Sequence, residues 1–167
     1  MIHIYCGDGK GKTTASVGLL LRASGAGKKV MFVQFLKDGS SSEINNLKKF
    51  ANVLVCPVSH GFYHTLPEKE KLEVAGDCTC LFEKMLGLCD TCDMIILDEV
   101  LDACSLEAID EERLYNFLLT KKDNIEIVLT GRNPSNKILD IADYVTEMKK
   151  IKHPFDKGAK ARKGIEM

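Results

Sequence analysis

The chain has 167 residues, enough for one domain with a core of its own. Hydrophobic residues make up 45% and charged residues 28%, which is the balance of a globular chain and excludes a disordered or fibrous one. The net charge of −1 gives no overall attraction to nucleic acid, and no segment has the apolar length that spans a bilayer, so neither partner is expected.

The first strand is expected over residues 2–6. It runs straight into Cys6-Gly7-Asp8-Gly9-Lys10-Gly11-Lys12-Thr13-Thr14, and a helix is predicted over 12–26. A glycine-rich turn from strand to helix ending in Gly-Lys-Thr is a phosphate cradle. Its backbone N–H groups are expected to point inward, and the helix N-terminus adds roughly half a positive charge. Lys12 supplies a full charge, and the Thr13 hydroxyl can hold Mg²⁺, so a nucleoside triphosphate is the first expectation. The pattern asks for glycine five residues before Gly11, where this chain has Cys6; Gly7 and Gly9 can provide the unusual backbone angles instead. A chain that opens on a strand and a phosphate loop has no signal peptide at that point, and a cytoplasmic protein is expected.

The 12–26 helix is apolar nearly all round, which predicts a buried helix ended by Gly25 and Gly27. Residues 29–36 form an almost continuous apolar run, the mark of a parallel strand covered on both faces. A loop at 38–42, a short helix at 43–50 and a strand at 52–58 follow. Thr65-Leu66-Pro67-Glu68 has capping-box spacing and predicts a helix to about residue 86, with Leu72, Ala75, Cys78, Phe82 and Met85 as its apolar stripe. Further expectations are a strand at 93–98, a helix at 106–119, a strand at 124–130, a short helix at 135–141 and a last strand at 144–148. Strands alternating with helices imply an α/β fold with one mostly parallel sheet of about six strands and helices on both faces. No repeat or linker divides it, so residues 1–167 read as a single domain.

Met94-Ile95-Ile96-Leu97-Asp98-Glu99 is an apolar strand ending in two carboxylates. In a phosphate-loop protein such a strand lies beside the first, and its end reaches the Mg²⁺ on the nucleotide. Asp98 and Glu99 are therefore metal candidates with Thr13, and Glu99 could equally position a water. Leu129-Thr130-Gly131-Arg132 ends another strand, where α/β sheets bind ligands; Arg132 is either a phosphate partner or a surface arginine. The loop Ser59-His60-Gly61-Phe62-Tyr63-His64 holds aromatics that could cover a planar apolar ligand, or could serve as a satellite of the core. Residues 149–167 carry seven Lys or Arg against two Asp or Glu, and their Pro and Gly punctuation suggests a segment that folds onto an anionic ligand.

Seven cysteines, an odd count in a nucleotide-binding chain, imply thiols rather than a disulfide framework. Cys78, Cys80, Cys89 and Cys92 have some zinc-ligand character. Cys78 and Cys80 on one helix would point about 200° apart, however, which favours buried thiols used as small hydrophobes. A phosphate-loop nucleoside kinase or ATPase remains a second reading, since some such kinases pair this loop with cysteines.

Taken together, these residues resemble the ATP:corrinoid adenosyltransferases of the cob(I)alamin (cob(I)yrinic acid a,c-diamide) type, a P-loop NTPase-like family. The resemblance covers nearly the whole chain. It is carried by the loop from Gly7 to Thr14, Arg22, Val33-Gln34-Phe35-Leu36-Lys37, Gly61-Phe62, Leu97-Asp98-Glu99, Leu129-Thr130-Gly131-Arg132, Ala142-Asp143, Thr146-Glu147-Met148, Lys152-His153-Pro154-Phe155 and Gly164-Ile165-Glu166. That family also lacks the first loop glycine. The resemblance implies transfer of the 5′-deoxyadenosyl group of ATP to the Co(I) of a corrinoid, with release of tripolyphosphate. Gly7, Asp8, Gly9, Lys10, Gly11, Lys12, Thr13, Thr14, Arg22 and Arg132 would bind nucleotide, with Arg22 near the nucleoside, and Mg²⁺ or Mn²⁺ would sit on Thr13, Asp98 and Glu99. It further implies a homodimer, a reduced flavoprotein as electron donor, and aromatics of the Gly-Phe loop that remove the lower axial ligand of the corrinoid. Phe62 matches one of these; the other, usually Trp, is His64 here, in a chain with no Trp. With Lys12 and Glu99 these make up the candidate catalytic set. A corrinoid carrier without turnover is the non-enzymatic alternative.

Overall fold

The structure, a computed structural model, describes residues 1–56 and 63–165, and of His64 the backbone only. Six strands form one sheet: β1 (Ile2–Cys6), β2 (Val30–Gln34), β3 (Asn52–Val55), β4 (Met94–Asp98), β5 (Glu126–Thr130) and β6 (Tyr144–Glu147). Their spatial order is β3-β2-β4-β5-β1-β6, and every neighbouring pair is parallel, so the acidic strand β4 does not lie beside β1 as expected: β5 is inserted between them. The helices are α1 (Lys12–Gly25), α2 (Ile44–Leu47), α3 (Glu68–Leu88), α4 (Val100–Ser105), α5 (Glu111–Lys121) and α6 (Asn136–Leu139). Among the described residues no helix is long and apolar enough to cross a membrane.

The continuous apolar runs of the central strands follow from burial on both faces. Side chains alternate between two cores. Ile2, Ile4, Met31, Val33, Ile95, Leu97, Ile127 and Leu129 point to one core, which takes in the buried residues of α3, α4, α5 and α6. Val30, Phe32, Met94, Ile96 and Val128 point to a smaller core under α1 and α2. Helices thus cover both faces, as expected.

Several local expectations change. α1 buries only Ser16, Leu20 and Ala23, and Leu21 is 45% exposed. Among the described residues nothing buries its outer side, and the apolar residues there face outward. It ends as expected, with Gly27 in the left-handed region at φ 79°. The capping box at Thr65 does not form. Thr65 closes a 3₁₀ turn (Tyr63–Thr65), and α3 begins at Glu68 with Pro67 as its cap. The residue before a proline is pushed out of helical geometry, so Leu66 cannot be the first helical residue that a Thr65 cap would need. α3 buries Val74, Cys78, Leu81, Phe82 and Met85, while Leu72 is exposed.

The helix expected over 106–119 begins only at Glu111, as α5, after a turn at 106–110, and α4 before that turn was not expected. Glu107 takes φ 56° there, and the Asp110 side chain caps α5 by accepting the Glu112 N–H at 2.9 Å. That cap is a stronger start signal than the apolar spacing of Leu106 and Ile109.

β5 leads into α4's flank through Gly131. It holds φ +154°, and a Cβ there would lie 2.5 Å from Leu101 Cβ and 2.9 Å from the Asp102 nitrogen. Gly131→Ala must therefore push α4 away from the sheet. We expect it to lower stability by about 2 kcal/mol and the thermal midpoint by about 6 °C. An unchanged midpoint in calorimetry would refute this close approach.

Candidate active site

β1 is still paired to β6 at its last residue, Cys6 opposite Glu147, so position 6 needs no glycine. The turn begins one residue later, at Gly7 with φ 100°. The phosphate loop is pinned from both sides: the Gly7 N–H donates to Arg132 O at 3.1 Å and the Gly9 N–H to Met148 O at 2.6 Å. A Cβ on Gly9 would meet that Met148 oxygen at 2.4 Å, so the sixth strand's continuation requires glycine here. These two amides, expected to face inward, instead hold the loop to its neighbours. Gly11 (φ 112°) then opens α1, whose first turn has no acidic residue, as suits an anion site.

Lys12 folds over the loop, its Nζ donating to Gly7 O at 2.7 Å and Gly9 O at 2.9 Å. Burial lowers its pKa, and Asp102 opposes that shift. Thr13 Oγ1 donates to Asp98 Oδ1 at 2.8 Å, across 85 residues of sequence. The same oxygen accepts from Thr130 Oγ1 at 2.8 Å, and Asp98 Oδ2 accepts from Gln34 Nε2 at 3.0 Å. Asp98 is fully buried, so its charge is carried by these donors and by Lys37, 3.8 Å away. Because the Thr13 proton is committed to Asp98, the hydroxyl's lone pairs face outward to a ligand.

Glu99 sits at φ 60°, an uncommon conformation for a residue with a Cβ, and its N–H donates to Thr130 Oγ1 at 2.8 Å. Burial raises its pKa, while Lys37, at 2.7 Å, pulls it down. Thr13 and Glu99 offer hard oxygen donors. Among the described residues no cluster of three or more His, Cys, Asp or Glu forms a metal cage. That donor set fits Mg²⁺, which binds one or two protein oxygens together with substrate phosphates.

These groups border a cavity of about 750 Å³ at the carboxyl ends of the strands, within the usual size range of a small-ligand site. The phosphate loop from Asp8 to Thr14 lines it, together with Arg132, Lys37, Glu43, Asn46 and Glu99. His153, Gly164 and Ile165 of the basic C-terminal segment also line it. The Lys150 N–H donates to Asp8 Oδ1 at 2.9 Å, which ties that segment to the phosphate loop and lowers the Asp8 pKa.

Not every sequence candidate converges here. Arg22 lies on the exposed last turn of α1, about 15 Å along the helix from Lys12, and does not line the cavity. Ser59, His60, Gly61 and Phe62 lie outside the described residues, as does the His64 side chain. Cys78 is buried and Cys80 exposed, on opposite sides of α3. All seven cysteines are thiols, and Cys78 Sγ approaches Cys56 Sγ at 3.9 Å in the core. Sequence reasoning gave Gln34, Thr130 and Lys37 no separate role. The signal for Gln34 and Thr130 was a polar residue at the carboxyl end of an apolar strand.

A sequence model of the family described as ATP:corrinoid adenosyltransferase BtuR/CobO/CobP matches residues 1–167. "Corrinoid adenosyltransferase CobA" of Salmonella typhimurium is 32% identical over 166 residues, covering 99% of this chain and 85% of that protein. The corrinoid adenosyltransferase of Escherichia coli K12 matches at the same identity and coverage. That of a Sinorhizobium species is also 32% identical, over 99% of this chain and 79% of its own. Among solved structures, EssC (ATPases 2 and 3) from Geobacillus thermodenitrificans superposes with a TM-score of 0.52 at 15% identity. It covers 98% of this chain, which spans about a third (34%) of that one, and shows a shared ATPase-like fold only.

Asp98→Ala would leave Thr13, Thr130 and Gln34 with unmatched donors. We expect a loss of about 3 kcal/mol in urea unfolding followed by circular dichroism. A variant as stable as the wild type would mean that Asp98 does not tie these elements together.

Proposed function

Because the chain belongs to the ATP:corrinoid adenosyltransferase family, we propose that its cavity binds ATP and transfers the 5′-deoxyadenosyl group to the Co(I) of a corrinoid, releasing tripolyphosphate. The observation that carries this reading is the Thr13–Asp98 hydrogen bond, which joins the phosphate loop to the acidic strand end next to a cavity that Thr13 and Glu99 line.

Co(I) is itself a strong nucleophile, so the protein need not supply a base. What it must supply is orientation of the ribose C5′ and stabilisation of charge on the departing phosphates. Mg²⁺ or Mn²⁺, held by the Thr13 hydroxyl and Glu99, would neutralise phosphate charge. Asp98 orients the Thr13 hydroxyl, the α1 N-terminus faces the anion, and Lys12 exchanges its loop carbonyls for phosphate oxygens. Arg132, fixed by the Gly7 contact to its own carbonyl, adds charge on the β5 side. By resemblance, Phe62 and His64 act on the lower axial ligand of the corrinoid, a reduced flavoprotein supplies the electron, and the enzyme works as a cytoplasmic homodimer.

The test is the visible spectrum of cob(II)alamin with protein and excess MgATP, before and after a reductant. A base-off species followed by light-sensitive adenosylcobalamin is expected. If cobinamide, which has no lower base, reacts while cobalamin does not, the Phe62–His64 role fails and the transfer reading stands. No reaction with either refutes the transfer. Lys12→Ala should reduce turnover at least about 100-fold, the cost of losing a charge-stabilising donor, and a metal chelator should abolish turnover reversibly. Undiminished activity in the variant would remove Lys12 from the mechanism.

A further inference from the structure

We propose that Lys37 is a catalytic residue of this site: its ammonium, aimed by Glu99, contacts the triphosphate together with Lys12 and takes up charge on the oxygen that leaves C5′. The proposal rests on the adenosyl-transfer reading and deepens it.

Two independent features place Lys37 there. The first is backbone geometry. Leu36 adopts φ 58°, a conformation that a side chain with a Cβ rarely takes. Such strain persists where the surroundings impose it, and it gathers at functional sites. Here it turns the chain as it leaves β2, so that Lys37 reaches across to the end of β4. The second is the ion pair. Lys37 Nζ lies 2.7 Å from Glu99 Oε1 and 3.8 Å from Asp98 Oδ2, and Lys37 borders the cavity. An ammonium has three N–H donors, and Glu99 takes one. The side chain is 34% exposed and lines the same cavity as the phosphate loop.

The reaction has a place for such a charge. The Co(I) electron pair forms the Co–C5′ bond while the C5′–O bond breaks, and that bond's electron pair stays on the tripolyphosphate oxygen. No proton moves. The growing negative charge is therefore met by fixed cations rather than by a general acid. Lys12, held by the loop carbonyls of Gly7 and Gly9, is one such cation. Lys37 supplies a second, and Glu99 holds it in place.

The experiment compares wild type, Lys37→Gln and Lys37→Arg in the full chain. It measures steady-state adenosylation, and separately the calorimetric affinity for magnesium tripolyphosphate without corrinoid. Lys37→Gln should lower kcat about 100-fold and weaken tripolyphosphate binding at least about tenfold, with KM for the corrinoid nearly unchanged. Lys37→Arg, which keeps the charge, should recover most of both. Tripolyphosphate affinity and kcat within twofold of wild type in Lys37→Gln would overturn the proposal. So would equal losses in both variants with a lowered thermal midpoint, since that marks a structural role. If wild type adenosylates no corrinoid, the transfer reading fails, and the tripolyphosphate comparison still decides whether Lys37 binds the leaving group.

Discussion

The buried carboxylate of Asp98 is the constraint on which the rest of this site depends. An ionised carboxylate without water must be matched by donors at close range, and losing one partner of a buried charge typically costs several kcal/mol, about 3–5. Here the donors come from three other elements: Thr13 at the start of α1, Gln34 at the end of β2 and Thr130 at the end of β5. The strand order makes this possible, because β4 lies between β2 and β5. The two flanking strands therefore end beside Asp98, and each contributes its last residue. The same contacts that satisfy the charge fix the phosphate loop relative to the sheet. Stability and site geometry are one requirement at this point.

The opposite side of the loop is set by the sheet edge. β6 continues into Met148 and Lys150, whose backbone groups engage Gly9 and Asp8. The phosphate loop is thus clamped between the buried end of β4 and the exposed end of β6. This explains the glycine pattern. Cys6 remains strand, Gly7 turns, and Gly9 admits the Met148 carbonyl. It also explains why a basic segment so far along the chain reaches the cavity: its first residues are anchored to the loop itself.

Much of this was legible in the sequence. The phosphate loop, the parallel sheet and the acidic end of β4 follow from short-range patterns with a direct physical cause. Gln34 and Thr130 were less visible, because a polar residue ending an apolar strand looks like ordinary strand termination. Only the sheet order shows that both face Asp98. α4 was hidden for a related reason. It begins directly after Glu99, in a left-handed conformation no propensity favours, and it is imposed by the Thr130 hydroxyl and the packing of Leu101 on Gly131. The false capping box at Thr65 shows the reverse case, where Pro67 overrides a plausible local motif. Arg22 was a candidate from resemblance alone, and the helix carries it away from the cavity.

The arrangement of charges suits a reaction whose nucleophile arrives with the substrate. A protein catalysing proton transfer needs a titratable group tuned near working pH. This cavity instead gathers cations around one space, lined by Lys12, Arg132 and Lys37. Its carboxylates are occupied in holding donors and cations: Asp98 holds two hydroxyls and an amide, and Glu99 holds Lys37. Preorganised positive charge stabilises a leaving polyphosphate without reorganising as the bond breaks. On this view the strained backbone at Leu36 and Glu99 is the structural cost of aiming an ammonium and a carboxylate into the same space from adjacent parallel strands. Lys37, which follows Leu36, and Glu99 both line the cavity.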